Sequence, residues 1–234
     1  MLLDNFKYAT QPGVIPAELS PEEYKGKLKV WDEGTSTSPT SNMHLGHLQA
    51  YWAEHTLPEG SPEAQALKTK QECILQGHIL LIDYALQTGY SFNPWKQIIN
   101  SMLEKDPGIP KIHHLRVVHL HEADYNLISG VNWRQVLHHA AKTNLINEGS
   151  YGSQPGRDAT DTKFIRELEY KISCLTKKVS LHFDNDATSC YDWIPCFLAN
   201  LASRKYGMHQ KICMVQGKTL EETKYHLKTK FRVF

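Results

Sequence analysis

The segment from Ser61 to Gly89 constrains the fold of this chain more than any other, because it carries the signals of one long helix. Ser61 is a typical N-cap, Pro62 suits the first helical position, and Gly89 is the residue type that most often follows a last turn. The apolar residues between these limits recur at helical spacing, at Leu67, Ile74, Leu75, Ile79, Leu81, Ile82 and Leu86. This helix is the most secure element that the sequence predicts.

Composition indicates a soluble protein with a packed core. The 234 residues are 41% hydrophobic and 22% charged, which suits one large domain or two small ones. The first ten residues lack the basic and apolar stretches of a secretion signal, and no window reaches the roughly 18 apolar residues of a membrane span. We therefore expect an intracellular protein, cytoplasmic or nuclear, with no membrane partner.

Charge is unevenly distributed along the chain although the net charge is only +1. Residues 163–234 carry 13 Lys and Arg against 7 Asp and Glu, whereas residues 1–162 carry 13 against 18. A basic C-terminal third suits a surface that meets a polyanion, and a solvated basic helix face explains the same charges equally well. Charge alone leaves both interpretations open.

Local patterns predict a helix-rich chain with few strands. Residues 1–42 are predicted as an extended arm with one short helix that begins at Ser20 and Pro21. Two strands joined by a loop are predicted at 98–103 and 112–120. Helical spacing predicts further helices at 131–141, 162–175, 194–206 and 217–228.

A strand predicted at 179–186 carries two acidic residues at its end. Asp184 and Asp186 lie two residues apart, so their side chains point to the same face. Carboxylates are the ligands that Mg²⁺ prefers, and phosphoryl-transfer sites hold this ion with one or two of them. The alternative is a solvated acidic strand end.

The run Asp-Ala-Thr-Ser-Cys-Tyr-Asp at 186–192 resembles the first palm motif of reverse transcriptases. The resemblance implies that Asp186 is the catalytic residue that binds Mg²⁺. It also implies that Tyr191 packs under the sugar of the incoming nucleotide and excludes a ribose 2′-hydroxyl. The aspartate spacing of this motif selects Asp186 rather than Asp184.

Two further motifs precede the first one in the order that the family has them. The run Tyr-Gly-Ser-Gln-Pro-Gly-Arg-Asp-Ala-Thr-Asp at 151–161 is similar to a loop of non-LTR retroelement and group II intron reverse transcriptases, and it departs at Gln154, where arginine is common. The resemblance implies that Arg157 contacts nucleic acid and that Asp161 caps the next helix.

The third motif covers residues 102–120 and looks like the paired fingers strands of the same family, with Val117 in place of the usual proline. It implies that Lys105 and Arg116 approach the nucleotide triphosphate or the template backbone, where fixed cations stabilise phosphate charge. Two exposed basic residues on a hairpin are the alternative.

Together the motifs imply an α+β chain that forms an incomplete right-hand polymerase fold, with helix-rich fingers, a small β-sheet and the first palm strand. Residues 1–42 would be an N-terminal arm, 43–178 the fingers region and 179–234 the start of the palm. The implied partners are an RNA template, a DNA primer and deoxynucleotides, with Mg²⁺ as cofactor and no protein partner indicated.

The aromatic-x-Asp-Asp motif that completes the catalytic site in this family does not occur in the 234 residues. We therefore expect no polymerase activity from these residues alone. Two classes of function stay open. The chain is either part of an RNA-directed DNA polymerase or a decayed or domesticated retroelement remnant that binds nucleic acid without catalysis.

Overall fold

The computed structural model describes residues 13–31, 45–52, 57–105, 108, 111, 114–146, 150, 156–179 and 194–228. Within these residues the protein is a helix-rich α+β structure with one small sheet. The helices are α1 (Pro21–Lys29), α2 (Leu45–Trp52), α3 (Pro62–Thr88), α4 (Ala123–Lys142), α5 (Ala159–Thr176), α6 (Cys196–Lys205) and α7 (Gln210–Glu221). The strands are β1 (Gln97–Glu104), β2 (Leu115–Leu120) and β3 (Lys224–Lys228), and a short 3₁₀ turn, Pro94–Lys96, precedes β1.

Helix α3 confirms the strongest prediction from the sequence. The Ser61 hydroxyl accepts a hydrogen bond from the Ala64 amide at 3.1 Å, and Gly89 ends the helix with φ 73°. Glycine suits this left-handed position because it has no Cβ. One side of α3 enters the core through Leu75, Ile79, Ile82, Ala85 and Leu86.

The core lies between α3, α4 and α7, with α1 packed on α4 and α6 packed on α7. The segment before α1 crosses the turn between α6 and α7, where the Val14 and Ile15 amides both donate to the Gly207 carbonyl, at 2.8 and 3.0 Å. A Cβ on Gly13 would lie 2.4 Å from the His209 Cα, so only glycine permits this approach. Residues 194–228 therefore share one core with the N-terminal helices.

The sheet has the order β2-β1-β3. Strands β1 and β2 are antiparallel, with Ile99 opposite Leu120 and Leu103 opposite Arg116. This confirms the strand predicted at 98–103 and the part of the strand predicted at 112–120 that lies at 115–120. Strands β1 and β3 are parallel, with Ile99 beside His226. The central strand β1 is thus paired on both sides. Its partner β2 is close to it in the sequence, and its partner β3 is far from it in the sequence.

The prediction of a helix through 217–228 is wrong in its second half. Helix α7 ends at Glu221, and the following residues form β3. Tyr225 and Leu227 alternate with His226, a period of two that suits a strand, and β1 supplies an edge to which this strand can pair. Long-range pairing therefore outweighs the local helical preference of the segment.

The cap of α5 also differs from the prediction. The N-cap is Asp158, whose carboxylate accepts from the amides of Thr160 and Asp161 at 2.6 and 3.1 Å. The Asp161 carboxylate in turn accepts a hydrogen bond from the Asp158 amide at 3.0 Å, which completes a capping box. Asp161 thus supports the helix start from the third position rather than as the cap.

Helix α5 is exposed along nearly its whole length, and none of its residues belongs to the core. Its apolar side chains include Phe164, which is 66% exposed, and Leu175, which is 84% exposed. The strand predicted at 179–186, apart from Val179, lies outside the described residues, and so do Asp184, Asp186 and Tyr191.

Candidate nucleic-acid interface

The two cations that the fingers resemblance selects lie on one face of the sheet. Arg116 is directly opposite Leu103, and Lys105 follows Leu103 by two residues, so all three side chains point to the same side. The Lys105 amide donates to the His114 carbonyl at 2.9 Å, which extends the ladder by one residue beyond β1. Lys105 and Arg116 are therefore diagonal neighbours, with an expected separation of roughly 7–8 Å.

Strand β3 adds two lysines to this face. Lys228 is beside Ser101 and Lys224 is beside Gln97, and both β1 residues share the face of Leu103. All four cations are exposed. We call this surface the basic face, defined by Lys105, Arg116, Lys224 and Lys228.

No acidic residue occupies a strand position on the basic face within the described sheet; the other positions there are Gln97, Ile99, Ser101, Leu103, Val118, Leu120 and His226. At about 3.3 Å per residue, the two β3 lysines are about 13 Å apart along the strand. Lys105 and Arg116 lie within about one Debye length of each other, roughly 8 Å at physiological salt, so their fields add, whereas the two β3 lysines are farther apart than this and act largely as separate charges. An extended polyanion is the ligand that this arrangement suits.

Contacts at one end of the sheet fix β3 against β1. The Lys96 ammonium contacts the Glu222 carboxylate at 2.6 Å, which joins the turn before β1 to the end of α7. The hydrogen bond and charge of Lys96 lower the pKa of Glu222. The His226 ring contacts the Gln97 side-chain oxygen at 2.8 Å on the basic face itself. These contacts place the β3 lysines on a rigid strand.

A buried aromatic cluster supports the start of β1. Trp95 is 2% exposed, its ring lies 4.9 Å from Phe92 and 5.6 Å from Tyr125 between centroids, and its indole nitrogen donates to Asp124 at 3.0 Å. His121 follows β2 and lies 5.2 Å from the Tyr125 ring. Burial is the main reason that the pKa of His121 falls to about 4, and the nearby His119 lowers it further.

Thiol chemistry is not favoured at the groove between α6 and α7. The groove encloses about 390 Å³ and is lined by Cys213, Arg204, Phe197 and neighbouring residues of both helices. Burial raises the pKa of the Cys213 thiol to about 11, so it stays protonated and weakly nucleophilic at neutral pH. The Arg204 guanidinium donates to the Met208 carbonyl at 2.6 Å, a bond that stabilises the turn between the helices.

Of the other predicted site residues, the structure describes Arg157 alone. Arg157 lies in the turn before α5, next to the Asp158 cap, and Asp186 and Tyr191 lie outside the described residues. Across the described ranges, no three His, Cys, Asp or Glu side chains approach closely enough to hold a metal ion. The Mg²⁺ role of Asp186 stays a prediction.

Sequence analysis missed Lys224 and Lys228 as site residues because it assigned them to a helix. The signal that could have found them is the alternation in Lys-Tyr-His-Leu-Lys, which places both lysines on one face of a strand. Their approach to Lys105 and Arg116 depends on the parallel pairing of β3 with β1, for which the sequence contains no local sign.

In the part of the chain that the structure describes, every helix is too short or too polar to cross a membrane. Neither the known protein-family models nor the curated proteins match this chain.

Proposed function

We propose that this chain binds nucleic acid through the basic face and that it is the front part of a reverse transcriptase, with the fingers and the beginning of the palm. The observation that carries the proposal is the convergence of Lys105, Arg116, Lys224 and Lys228 on one exposed sheet face. Two of these four residues are those that the motif resemblance selects independently.

In this proposal the basic face contacts phosphates, either of the template backbone or of the incoming nucleotide. Arg116 offers a planar fork that can bind two phosphate oxygens, whereas each lysine acts as a point charge. Asp186 would hold Mg²⁺, which supplies the charge stabilisation for phosphoryl transfer. Tyr191 would then lie beside the sugar of the nucleotide and select deoxyribose.

A second candidate is a retroelement remnant that binds nucleic acid without catalysis. The basic face needs no catalytic carboxylate, so it serves both candidates. The nucleotide sequence that follows the codon of Phe234 discriminates between them, because a continued open frame with that motif supports the enzyme and early stop codons support the remnant.

Binding through the basic face predicts a specific salt dependence. Lys105→Gln combined with Arg116→Gln should weaken binding to a single-stranded oligonucleotide and reduce the slope of log affinity against log salt by about 0.7 for each phosphate that is no longer neutralised. Fluorescence anisotropy at several salt concentrations measures both quantities. The reason is that fewer counterions are released when fewer phosphates pair with protein cations.

The matched control for this experiment is Lys68→Gln combined with Lys70→Gln on α3. These lysines are exposed, and the double variant loses the same charge away from the sheet. It should retain most of the affinity and most of the salt slope. Equal reductions in the two double variants would show that net charge, rather than the basic face, determines binding.

The polymerase part of the proposal requires a separate assay of primer extension on a primed RNA template with Mg²⁺ and deoxynucleotides. The 234 residues alone should give no extension, because two-metal transfer needs carboxylates from more than one segment. A folded fusion that adds the remaining palm and thumb of a non-LTR reverse transcriptase should extend the primer. Asp186→Asn should abolish that extension, and extension that survives this change would contradict the catalytic assignment.

A further inference from the structure

The side of the sheet opposite the basic face carries exposed aromatic and apolar residues. Tyr225 is 56% exposed, and the other members are Met102, Val117, His119 and Leu227, all exposed. The register places these side chains together, since Met102 is opposite Val117 and Asn100 is flanked by His119 and Leu227. We call this surface the aromatic face.

Two rings form the centre of the aromatic face. The His119 and Tyr225 rings lie 5.5 Å apart between centroids, with an angle of 47° between their planes. His119 Nδ1 contacts the Asn100 side-chain oxygen at 2.7 Å, and this bond fixes the orientation of the imidazole. Both rings are on strands that pair with β1, and the imidazole has a side-chain hydrogen bond, so little conformational entropy would be lost when a flat ligand packs on them.

The lysines next to the rings in sequence indicate what kind of flat ligand fits, and the acidic strand residue of the aromatic face, Glu104, lies four positions along β1 from Asn100. Tyr225 directly follows Lys224, and Leu227 directly precedes Lys228, so the residues of β3 alternate between the basic and the aromatic face. Strand β3 is at an edge of the described sheet. A ligand that crosses this edge can therefore meet cations on one side and aromatic rings on the other.

We propose that Tyr225 and His119 form a stacking site for an unpaired base of single-stranded nucleic acid, whose phosphates bind Lys224 and Lys228 around the β3 edge. This site rests on the proposed nucleic-acid binding and gives it a preference for single strands. Stacking on aromatic side chains tolerates any base, because every base has a flat π-face. A duplex keeps its bases stacked inside, so it does not offer their flat faces to these rings.

The test compares four labelled oligonucleotides of equal length by fluorescence anisotropy with the full chain. They are oligo-U, oligo-dT, an oligo-dT with abasic sites at its centre, and a DNA duplex. Tyr225→Leu should bind oligo-U and oligo-dT roughly tenfold more weakly than the unsubstituted chain. The affinity of Tyr225→Leu for the duplex should be within about twofold of that of the unsubstituted chain, because stacking contributes nothing to duplex binding.

Two variants control for the loss of the ring and for folding. Tyr225→Phe keeps the ring and should bind single strands as the unsubstituted chain does. Tyr170→Leu removes an equally exposed tyrosine from α5, 63% exposed, and should leave binding unchanged. The unsubstituted chain should also bind the abasic strand more weakly than oligo-dT, and Tyr225→Leu should no longer distinguish these two strands.

Each failure has its own meaning. If the unsubstituted chain binds neither single strands nor duplex, both the proposed nucleic-acid function and the stacking site are wrong. If binding occurs but Tyr225→Leu weakens duplex and single strands equally, or weakens neither, the stacking site is wrong while the proposed nucleic-acid binding is retained. Equal affinity of the unsubstituted chain for abasic and intact strands would also overturn the stacking site.

Discussion

Replacing Trp95 with alanine is expected to lower the free energy of unfolding by about 3–5 kcal/mol. The side chain is 2% exposed, and its removal leaves a cavity between Phe92 and Tyr125 that the surrounding rings fill only in part. The Asp124 carboxylate also loses the indole donor that lies 3.0 Å away. Urea unfolding followed by circular dichroism measures the change.

Trp133→Ala on α4 is the matched control, since this tryptophan is 41% exposed. We expect it to reduce the free energy of unfolding by no more than about 1.5 kcal/mol. Because Trp95 lies in the 3₁₀ turn that precedes β1, its loss should also weaken the proposed nucleic-acid binding by loosening the sheet. A Trp95→Ala protein as stable as Trp133→Ala would contradict the assignment of Trp95 to the core that supports β1.

Acidification from pH 7 to pH 4 is expected to destabilise the protein by on the order of 2–3 kcal/mol through His121 alone. Burial lowers the pKa of His121 to about 4, below its usual value of 6.5. The unfolded chain therefore takes up a proton first as the pH falls. The stabilisation is complete above pH 6.5 and is lost progressively down to about pH 4.

The environment of His121 explains why protonation is unfavourable there. Its Nδ1 atom is buried and has no hydrogen-bond partner among the described residues, and a positive charge at this position would be poorly solvated. His78 acts in the same direction, because burial lowers its pKa, with a partial opposing effect of Asp124. His78 contacts the Tyr24 hydroxyl, so its protonation would disturb a second part of the core.

His121→Phe removes one titrating group while retaining a ring of similar shape. Chemical unfolding between pH 7 and pH 4 should show a shallower loss of stability in this variant than in the unsubstituted protein. His138→Phe changes an exposed histidine on α4 and should keep the steeper profile. Identical profiles for His121→Phe and the unsubstituted protein would exclude His121 as the source of the acid sensitivity.

Elements with local signals were predictable from the sequence. Ser61 and Gly89 define α3 because capping depends on residues within one turn, and the β1–β2 pair depends on two segments close in sequence. Lys105 and Arg116 were predicted as site residues for the same reason, since their segment resembles one family motif. Lys105 and Arg116 share a face because of the register between β1 and β2, two strands that are close in the sequence.

Features that depend on distant contacts were not predictable. The alternation in β3 is a local sign of a strand, but its pairing with the distant β1 has no sign in the segment itself. The charge excess of residues 163–234 gave no indication that Lys224 and Lys228 lie beside Lys105 and Arg116. The Asp158 cap was missed because both aspartates of its capping box satisfy the sequence rule for a helix start.

The parallel pairing of β1 with β3 has a consequence for the order of folding. His226 and Gln97, which are in contact across this pair, are 129 positions apart in the sequence. Such a contact must close a very long loop, so it forms late and contributes to a high contact order. During synthesis the β1–β2 hairpin can form long before β3 has left the ribosome. A nascent chain therefore has only Lys105 and Arg116 of the basic face in place, and the complete face exists only once β3 has docked on β1.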